Sequence, residues 1–422
     1  MASRTLPVPR HLRAVAETER AVAGPKGVTT SRRTIAILLG STTVLTIVGV
    51  VMVLSASYVF SYLEYGSSFL FFKRQLAYAI VGFAALLVTS RMRYAVWQRL
   101  AGPFLGVTIL LLLLVLHPSA GTVAGGSARW IAFGPVTIQP SEFAKLALIA
   151  FAATVLARRW KDLDDIRTLL LPLLPVTLLV CGLVMLQPDL GTTVILAGSM
   201  FMLLFAAGVS VKRLAVGVGA AGALGTVLIL SETYRRERLL SFLHPWSDPA
   251  NKGYQLIQSL IALGSGGWFG VGLGASRQKW LYVPNAHTDF IFAVLGEELG
   301  LIGELGVIAL FCLLLWSGVR IAARAPDAFG RLLAGGIVSW LGLQVVVNLG
   351  AVTGLLPVTG VPLPFMSFGG SSLVVSLAAI GILVNIGRSS QRASAATRRR
   401  RSSTTANASA PRASAASGSR AR

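Results

Sequence analysis

The sequence predicts an all-α polytopic membrane protein of about ten transmembrane helices, with one large extracytoplasmic loop between the seventh and the eighth. Three observations predict it. The 422 residues are 54% hydrophobic and only 13% charged, with a mean hydropathy of +0.71, which no water-soluble globule with one buried core sustains. Apolar runs approaching the roughly 20 residues that span a bilayer recur along most of the chain. Arginine and lysine gather in alternate short loops, as they do on the side of a membrane from which basic residues are not translocated.

The segment 1–33 opens with seven basic residues and two acids, too long and too polar before its first apolar run for a cleaved signal peptide. It reads as a basic, disordered cytoplasmic extension, and the first span as an uncleaved signal anchor. The membrane domain occupies 34–388, with spans at 34–55, 76–90, 100–116, 141–157, 169–186, 191–209, 214–230, 288–319, 332–356 and 371–386. Basic loops hold Arg91, Arg93 and Arg99, then Arg158, Arg159, Lys161 and Arg167, then Lys212 and Arg213, then Arg320, Arg324 and Arg331. Those loops belong in the cytoplasm with both termini. Lys73 and Arg74 run against the trend, as do six basic residues in the long loop 232–287, where the charge rule weakens.

The tail 389–422 turns to Ser, Ala, Thr and Arg, includes Arg398-Arg-Arg-Arg401 and has no acid. Such a composition predicts disorder near an anionic lipid surface, or a docking site for an acidic cytoplasmic partner. The net charge of +22 comes largely from the ends and inner loops, and without aromatic interleaving or a nucleic-acid motif it does not point to nucleic acid. Cys181 and Cys312 fall in apolar spans and read as inert thiols. The four histidines show no zinc spacing, so no metal site is expected from them.

Four segments on the outer side concentrate Gly, Pro, Ser and charge. In 125–145, Glu142 and Lys145 are three residues apart and share a helical face, either as an intrahelical ion pair with Ser141 as a cap or with Lys145 and Arg129 facing an anionic group. In Gln187-Pro-Asp-Leu-Gly-Thr-Thr193, Asp189 has an ordinary reading as a helix cap. In the long loop, Tyr254, Ile257 and Leu260 repeat at helical spacing and suggest an amphipathic helix at the outer interface. The glycine-rich 264–274 lacks the strand-then-helix setting of a nucleotide site and suggests close backbone approach. The fourth segment, 354–372, is broken by prolines and glycines yet apolar, which reads as a re-entrant cavity wall.

Asp289 lies where a polar loop becomes an apolar helix, beside His287 and Thr288, in a chain with sixteen carboxylates. It reads either as a helix cap or as a proton acceptor for chemistry on a lipid-linked substrate. On one continuous helix Glu297 and Glu298 would sit about 12 Å deeper and on other faces, so a paired-carboxylate mechanism is not supported. They are expected to contact neighbouring helices or a basic residue such as Lys145.

Gly126-Ser-Ala-Arg-Trp130, Gln139-Pro-Ser-Glu-Phe-Ala-Lys145, Gln187-Pro-Asp-Leu-Gly-Thr192, Gly253-Tyr-Gln-Leu-Ile-Gln-Ser259, His287-Thr-Asp-Phe-Ile-Phe292, Gly296-Glu-Glu-Leu-Gly300, Gly354-Leu-Leu-Pro357 and Pro362-Leu-Pro-Phe-Met-Ser-Phe-Gly-Gly-Ser371 follow one another in the order of a known family. Together they resemble the shape, elongation, division and sporulation (SEDS) family. Val50-Val-Met-Val-Leu-Ser-Ala-Ser57, with Gly66-Ser-Ser-Phe69 and Phe72-Lys-Arg-Gln75, is similar to its cell-division branch rather than its elongation branch.

The resemblance implies a ten-helix peptidoglycan glycosyltransferase that polymerises lipid II, an undecaprenyl-pyrophosphate-linked disaccharide-peptide, at the outer face of the cytoplasmic membrane during division. It places the catalytic carboxylate on Asp289 and substrate contacts on Arg129, Glu142, Lys145, Asp189, His287, Thr288 and Ser367. A carboxylate there takes the proton of the acceptor 4-hydroxyl, and single displacement gives an inverted β-1,4 link. Arg129 and Lys145 are the candidate cations for the leaving diphosphate. The family sometimes carries a basic residue where this chain has Thr137, which shifts weight onto Arg129. A divalent cation such as Mg or Mn is admitted as cofactor although no motif shows one. The implied partners are a class B penicillin-binding transpeptidase and other divisome proteins. Lipid II flipping, elongation-type polymerisation and a non-enzymatic scaffold role are the competing readings.

Overall fold

The computed structural model describes residues 30–117, 121–124, 127–134, 136–160, 166–231, 233–251, 253–280, 282–284 and 286–408. The expected N-terminal extension and the end of the tail lie outside them. Each of the ten apolar segments falls on one helix: α1 Arg32–Tyr65, α2 Leu70–Arg91, α3 Ala95–Leu116, α4 Pro140–Arg158, α5 Ile166–Met185, α6 Leu190–Ala207, α7 Val211–Leu230, α10 Ile291–Ala323, α11 Ala328–Val352 and α12 Gly370–Ala408. Among the described residues, eight of these are long and apolar enough to cross a membrane by length and composition, and Leu171–Met185 of α5 forms a shorter apolar stretch. The long loop adds α8 Thr233–Leu243 and α9 Tyr254–Ser265.

Helix ends follow local chemistry. Ser31 caps α1 by accepting the Thr34 amide at 3.1 Å, and Gly66 ends it in the left-handed region with its N–H on Tyr62. The 34 residues of α1 make about 51 Å of helix, about 21 Å more than a roughly 30 Å hydrocarbon core needs. Asp327 caps α11 through the Gly330 amide at 2.7 Å.

The two ends of the bundle differ. At one, Asn385 of α12 accepts the Tyr94 amide and donates to the Ser90 carbonyl, the Tyr94 hydroxyl bonds Asp327, and Ser390 reaches the Arg324 carbonyl. At the other gather Asp289, Gln187, Arg129 and the irregular segment 357–369. Helices α4, α11 and α12 are the most enclosed, whereas α2 and α3 keep much of their surface outward. Gly82 lies against Leu377, and Gly381 against Leu86 and Thr89, so small residues bring α2 and α12 together.

The structure departs from the expected architecture at the outer loop, the tail and α9. The outer loop before α4 is not wholly irregular: β1 Gly121–Ala124, β2 Ser127–Phe133 and β3 Val136–Ile138 form an antiparallel sheet in that order. The tail expected to be disordered from 389 continues α12 to Ala408, because an already nucleated helix extends readily into Ala and Arg. The amphipathic α9 exists, but it buries Leu256, Ile257, Ser259 and Ala262 and leaves Leu260 exposed.

The eighth span is broken. Within α10, Gly300 takes φ 64° and ψ −170°, a conformation strained for any residue with a Cβ. A Cβ there would also strike Trp268, Phe269 and Gly270. The glycine-rich loop crosses the break: Val271 and Gly272 donate to the Glu297 and Glu298 carbonyls at 2.9 and 3.1 Å, and Gly267 and Trp268 accept from Leu301 and Ile302 at 2.9 and 3.2 Å. Close backbone approach was the expectation for these glycines, and α10 is what they approach. From Leu301 to Ala323 the helix still spans about 34 Å, enough to cross the bilayer by itself. Glu297 and Glu298 therefore lie on the Asp289 side of the break, before the segment that is long enough to cross by itself.

Neither glutamate reaches Lys145. Glu297 accepts from the Ser276 hydroxyl and the amides of Arg277 and Gln278, while Glu298 accepts from the Ser55 hydroxyl at 2.5 Å and pairs with Lys279 at 3.9 Å. The two carboxylates brace the loop that closes the helix break.

Candidate active site

Asp289 occupies the turn before α10, with Phe290 as the N-cap and no side-chain capping bond there. The capping reading of Asp289 does not hold. Its backbone carbonyl is instead held by the Asn348 amide at 2.8 Å, and the same nitrogen donates at 2.8 Å to the Val361 carbonyl. One side chain of α11 thus fixes the Asp289 turn and the irregular segment 357–369 to each other. The residue is 9% exposed, with Oδ1 3.0 Å from the Thr288 hydroxyl. Across from it stands Gly360, where an added Cβ would come 3.9 Å from Oδ2.

His287 is enclosed rather than offered to substrate. Its ring stacks on Phe60 at 5.4 Å and meets Phe71 and Phe368 at 4.8 and 5.8 Å, while its carbonyl accepts the Phe368 amide at 2.9 Å. Burial among those rings disfavours the imidazolium and pushes the pKa down to about 4. At neutral pH the ring is uncharged and packs the end of α1 against the site.

Beneath lies a polar floor. Gln344 Oε1 accepts from the Trp340 indole at 2.8 Å and from Lys145 Nζ at 3.0 Å, and its Nε2 holds the Pro362 carbonyl at 2.9 Å. Lys145 also pairs with Glu142 at 2.8 Å and is 2% exposed. The expectation that Lys145 faces an anionic substrate is corrected, because its ammonium is directed into the bundle, where a carboxylate one turn back and an amide on α11 compensate its burial. The ion-pair reading stands, but Ser141 is not the cap: Gln139 precedes the helix, and Pro140 at the first turn has no N–H to satisfy.

Ser367 is likewise internal. Its hydroxyl accepts the Leu363 amide at 2.8 Å, and its carbonyl accepts from Gln75 at 3.1 Å. With Asn348 and Gln344 it satisfies the backbone of 357–369, an irregular stretch tolerated at such depth only where protein supplies partners.

Arg129 comes from β2, on the side away from Asp289 in sequence. It donates to the Gln187 carbonyl at 3.0 Å, bonds the Pro188 carbonyl and stands 4.0 Å from Asp189. Asp189 does cap α6, accepting the Thr192 amide at 2.9 Å and hydroxyl at 2.8 Å. The α6 start also abuts the shared segment: a Cβ on Gly191 would lie 2.7 Å from the Thr359 carbonyl. The segment 357–369 is thereby the common wall on which both the Asp289 turn and the Arg129–Asp189 group rest.

Among the described residues no group of three or more His, Cys, Asp or Glu is placed to hold a metal ion. The sequence reading missed Asn348, Gln344, Gln75 and Phe60. Gln344 and Asn348 carried a usable signal, being amide side chains one turn apart in an otherwise apolar span.

Comparison with known proteins places the chain among membrane proteins of the cell cycle. The family model FtsW/RodA/SpoVE, described as cell cycle protein, matches residues 35–392. Stage V sporulation protein E of Bacillus subtilis is 45% identical over 351 residues, covering 83% of this chain and 96% of that protein. A protein of Geobacter metallireducens named probable peptidoglycan glycosyltransferase FtsW is 46% identical over 342 residues, covering 81% and 91%. Among solved structures, one from work on "structural coordination of polymerization and crosslinking by a peptidoglycan synthase complex" superposes with a TM-score of 0.69 at 33% identity, covering 84% of this chain and 97% of that one. Rod shape determining protein RodA of Thermus thermophilus gives 0.62 at 31% identity, covering 83% and 95%.

Proposed function

We infer the reaction from a premise now in place: the chain belongs to the FtsW, RodA and SpoVE family of cell cycle proteins. It is a multi-pass membrane protein and a peptidoglycan glycosyltransferase. Its substrate is lipid II, polymerised into β-1,4 glycan strands during cell division at the outer face of the cytoplasmic membrane, with both termini inside. The basic loops support that orientation, since the Asp289 end then faces out.

In this reading Asp289 removes the proton from the acceptor 4-hydroxyl as its oxygen bonds the anomeric carbon of the donor. The bond to the lipid diphosphate breaks, and one displacement inverts the centre. Asn348 holds the backbone that sets the carboxyl's position, and Gly360 leaves the facing side open. His287 is a weaker candidate base, because protonating it would place a charge among three aromatic rings. Arg129 is the cation best placed to meet departing diphosphate charge, since Lys145 is committed to the floor. A Mg or Mn ion would enter as a counter-ion of the diphosphate. A class B penicillin-binding transpeptidase and other divisome proteins are the expected partners.

The observation that carries this reading is the placement of Asp289: a largely buried carboxylate at the start of α10, tethered by its backbone to Asn348 and facing Gly360 of the shared wall. Purified protein with Asp289→Asn, given lipid II, should lose polymerisation by at least about a hundredfold, the lower range for a general base. Its unfolding midpoint should stay unchanged. Wild-type rates in that variant would overturn the assignment.

A further inference from the structure

The glycine-rich loop that closes the α10 break ends in an unusual surface. Trp268 and Phe269 are 68% and 81% exposed, and Val271 and Leu273 are also open. A solvated loop tip usually carries polar side chains, yet no charged residue occurs from Gly253 to Ser276. Arg277 follows at once and is exposed.

The backbone of this tip is also unusually well satisfied for a loop. The amides of Gly270, Val271 and Gly272 donate to Gly266, Glu297 and Glu298, and the carbonyls of Gly267 and Trp268 accept from Leu301 and Ile302. Water would supply those partners to an aqueous tip, whereas hydrocarbon requires them internally. The same bonds fix the tip's height. It is joined to the first turn of the full-length span, whose Ile302 and Leu305 are exposed where the helix would enter the bilayer. The apolar tip is therefore continuous with a membrane-facing surface.

We propose that Trp268 and Phe269 insert into the headgroup–acyl boundary of the leaflet on the Asp289 side, a lipid anchor that ties the long loop to the membrane surface. The occupant is phospholipid, with aromatic rings at the depth they favour and Arg277 among anionic headgroups. Because Glu297 and Glu298 receive the same loop, the anchor also holds the segment that begins at Asp289. The proposal does not depend on the transferase reading.

The test uses full-length protein with Cys181→Ala and Cys312→Ala, in phosphatidylethanolamine–phosphatidylglycerol vesicles. Phe269→Cys or, as a second site, Leu273→Cys carries an NBD fluorophore, and Ala250→Cys on the same loop serves as reference. Nitroxide at acyl carbon 5 should quench both tip labels at least threefold more than the reference, and aqueous iodide should quench them at least threefold less. Tip labels as accessible to iodide as the reference would overturn the proposal. So would iodide access in the chain alone that disappears only when the transpeptidase is added, since that would assign the surface to a protein partner.

Discussion

Lys145 and Arg129 carry the same charge, lie sixteen residues apart and were both expected to face an anion, yet they occupy opposite kinds of site. Lys145 is sealed in the floor against Glu142, Gln344 and the Trp340 ring. Arg129 lies on a strand of a small sheet at the rim, partly open, and it spends its guanidinium on backbone carbonyls beside Asp189. A charge-rich segment thus divides its cations between a strand and the helix that follows it: Lys145 fixes the shape of the wall, and Arg129 remains partly open at the rim.

The sharpest way to break that comparison is to remove each cation in turn. Lys145→Ala strands the Glu142 carboxylate inside the bundle, and uncompensated buried charge of this kind costs about 3–5 kcal/mol. The unfolding midpoint in detergent should fall steeply, with activity lost in proportion to folded protein. The pair Glu142→Gln with Lys145→Met should recover most of the stability, because replacing both partners leaves no orphaned charge. If Lys145→Ala instead folded normally and only its turnover fell, the floor would have to be redrawn as a substrate surface.

Arg129→Ala should do the reverse. On the proposed role of Arg129 toward the leaving diphosphate, its loss should lower kcat/KM for lipid II at least about tenfold, equivalent to about 1.4 kcal/mol. The midpoint should shift far less than in Lys145→Ala, since Arg129 is partly exposed and Asp189 keeps its bonds to the Thr192 amide and hydroxyl. Equal damage to stability in both variants would erase the distinction between floor and rim.

The same contrast shows where the sequence could be read and where it could not. Apolar runs located the ten helical segments because burial in lipid demands continuous hydrophobicity, and Asp289 stood out as a candidate because a carboxylate at such a boundary is costly to keep. The Gly300 break was hidden. Glu297 to Gly303 reads as uninterrupted helix, and the loop that crosses it lies some thirty residues earlier, a pairing no local pattern encodes. One clue existed in length, since the 33 residues of α10 exceed what the bilayer needs. The sheet escaped for another reason: its strands have four, seven and three residues, with an irregularity between Thr122 and Val123. Short strands bounded by glycine leave little alternation to detect.

His287 gives the smallest and most specific test, because it stands between the two regions. It adjoins Asp289 but behaves as part of the floor, uncharged and packed among Phe60, Phe71 and Phe368. Its pKa falls from an ordinary 6.5 to about 4 in the folded protein because burial opposes the charged form. Below 6.5 the unfolded chain therefore binds a proton that the folded chain refuses, and stability must decline as pH drops from 6.5 toward 4. Above 6.5 this group contributes no slope. His287→Phe keeps a ring in the cage and removes the proton, so its unfolding midpoint should fall less than wild type over that window and match its pH dependence between 7 and 8. Parallel curves across the whole range would mean that the imidazole titrates freely in the folded state, which would make His287 a rim residue able to exchange protons beside Asp289.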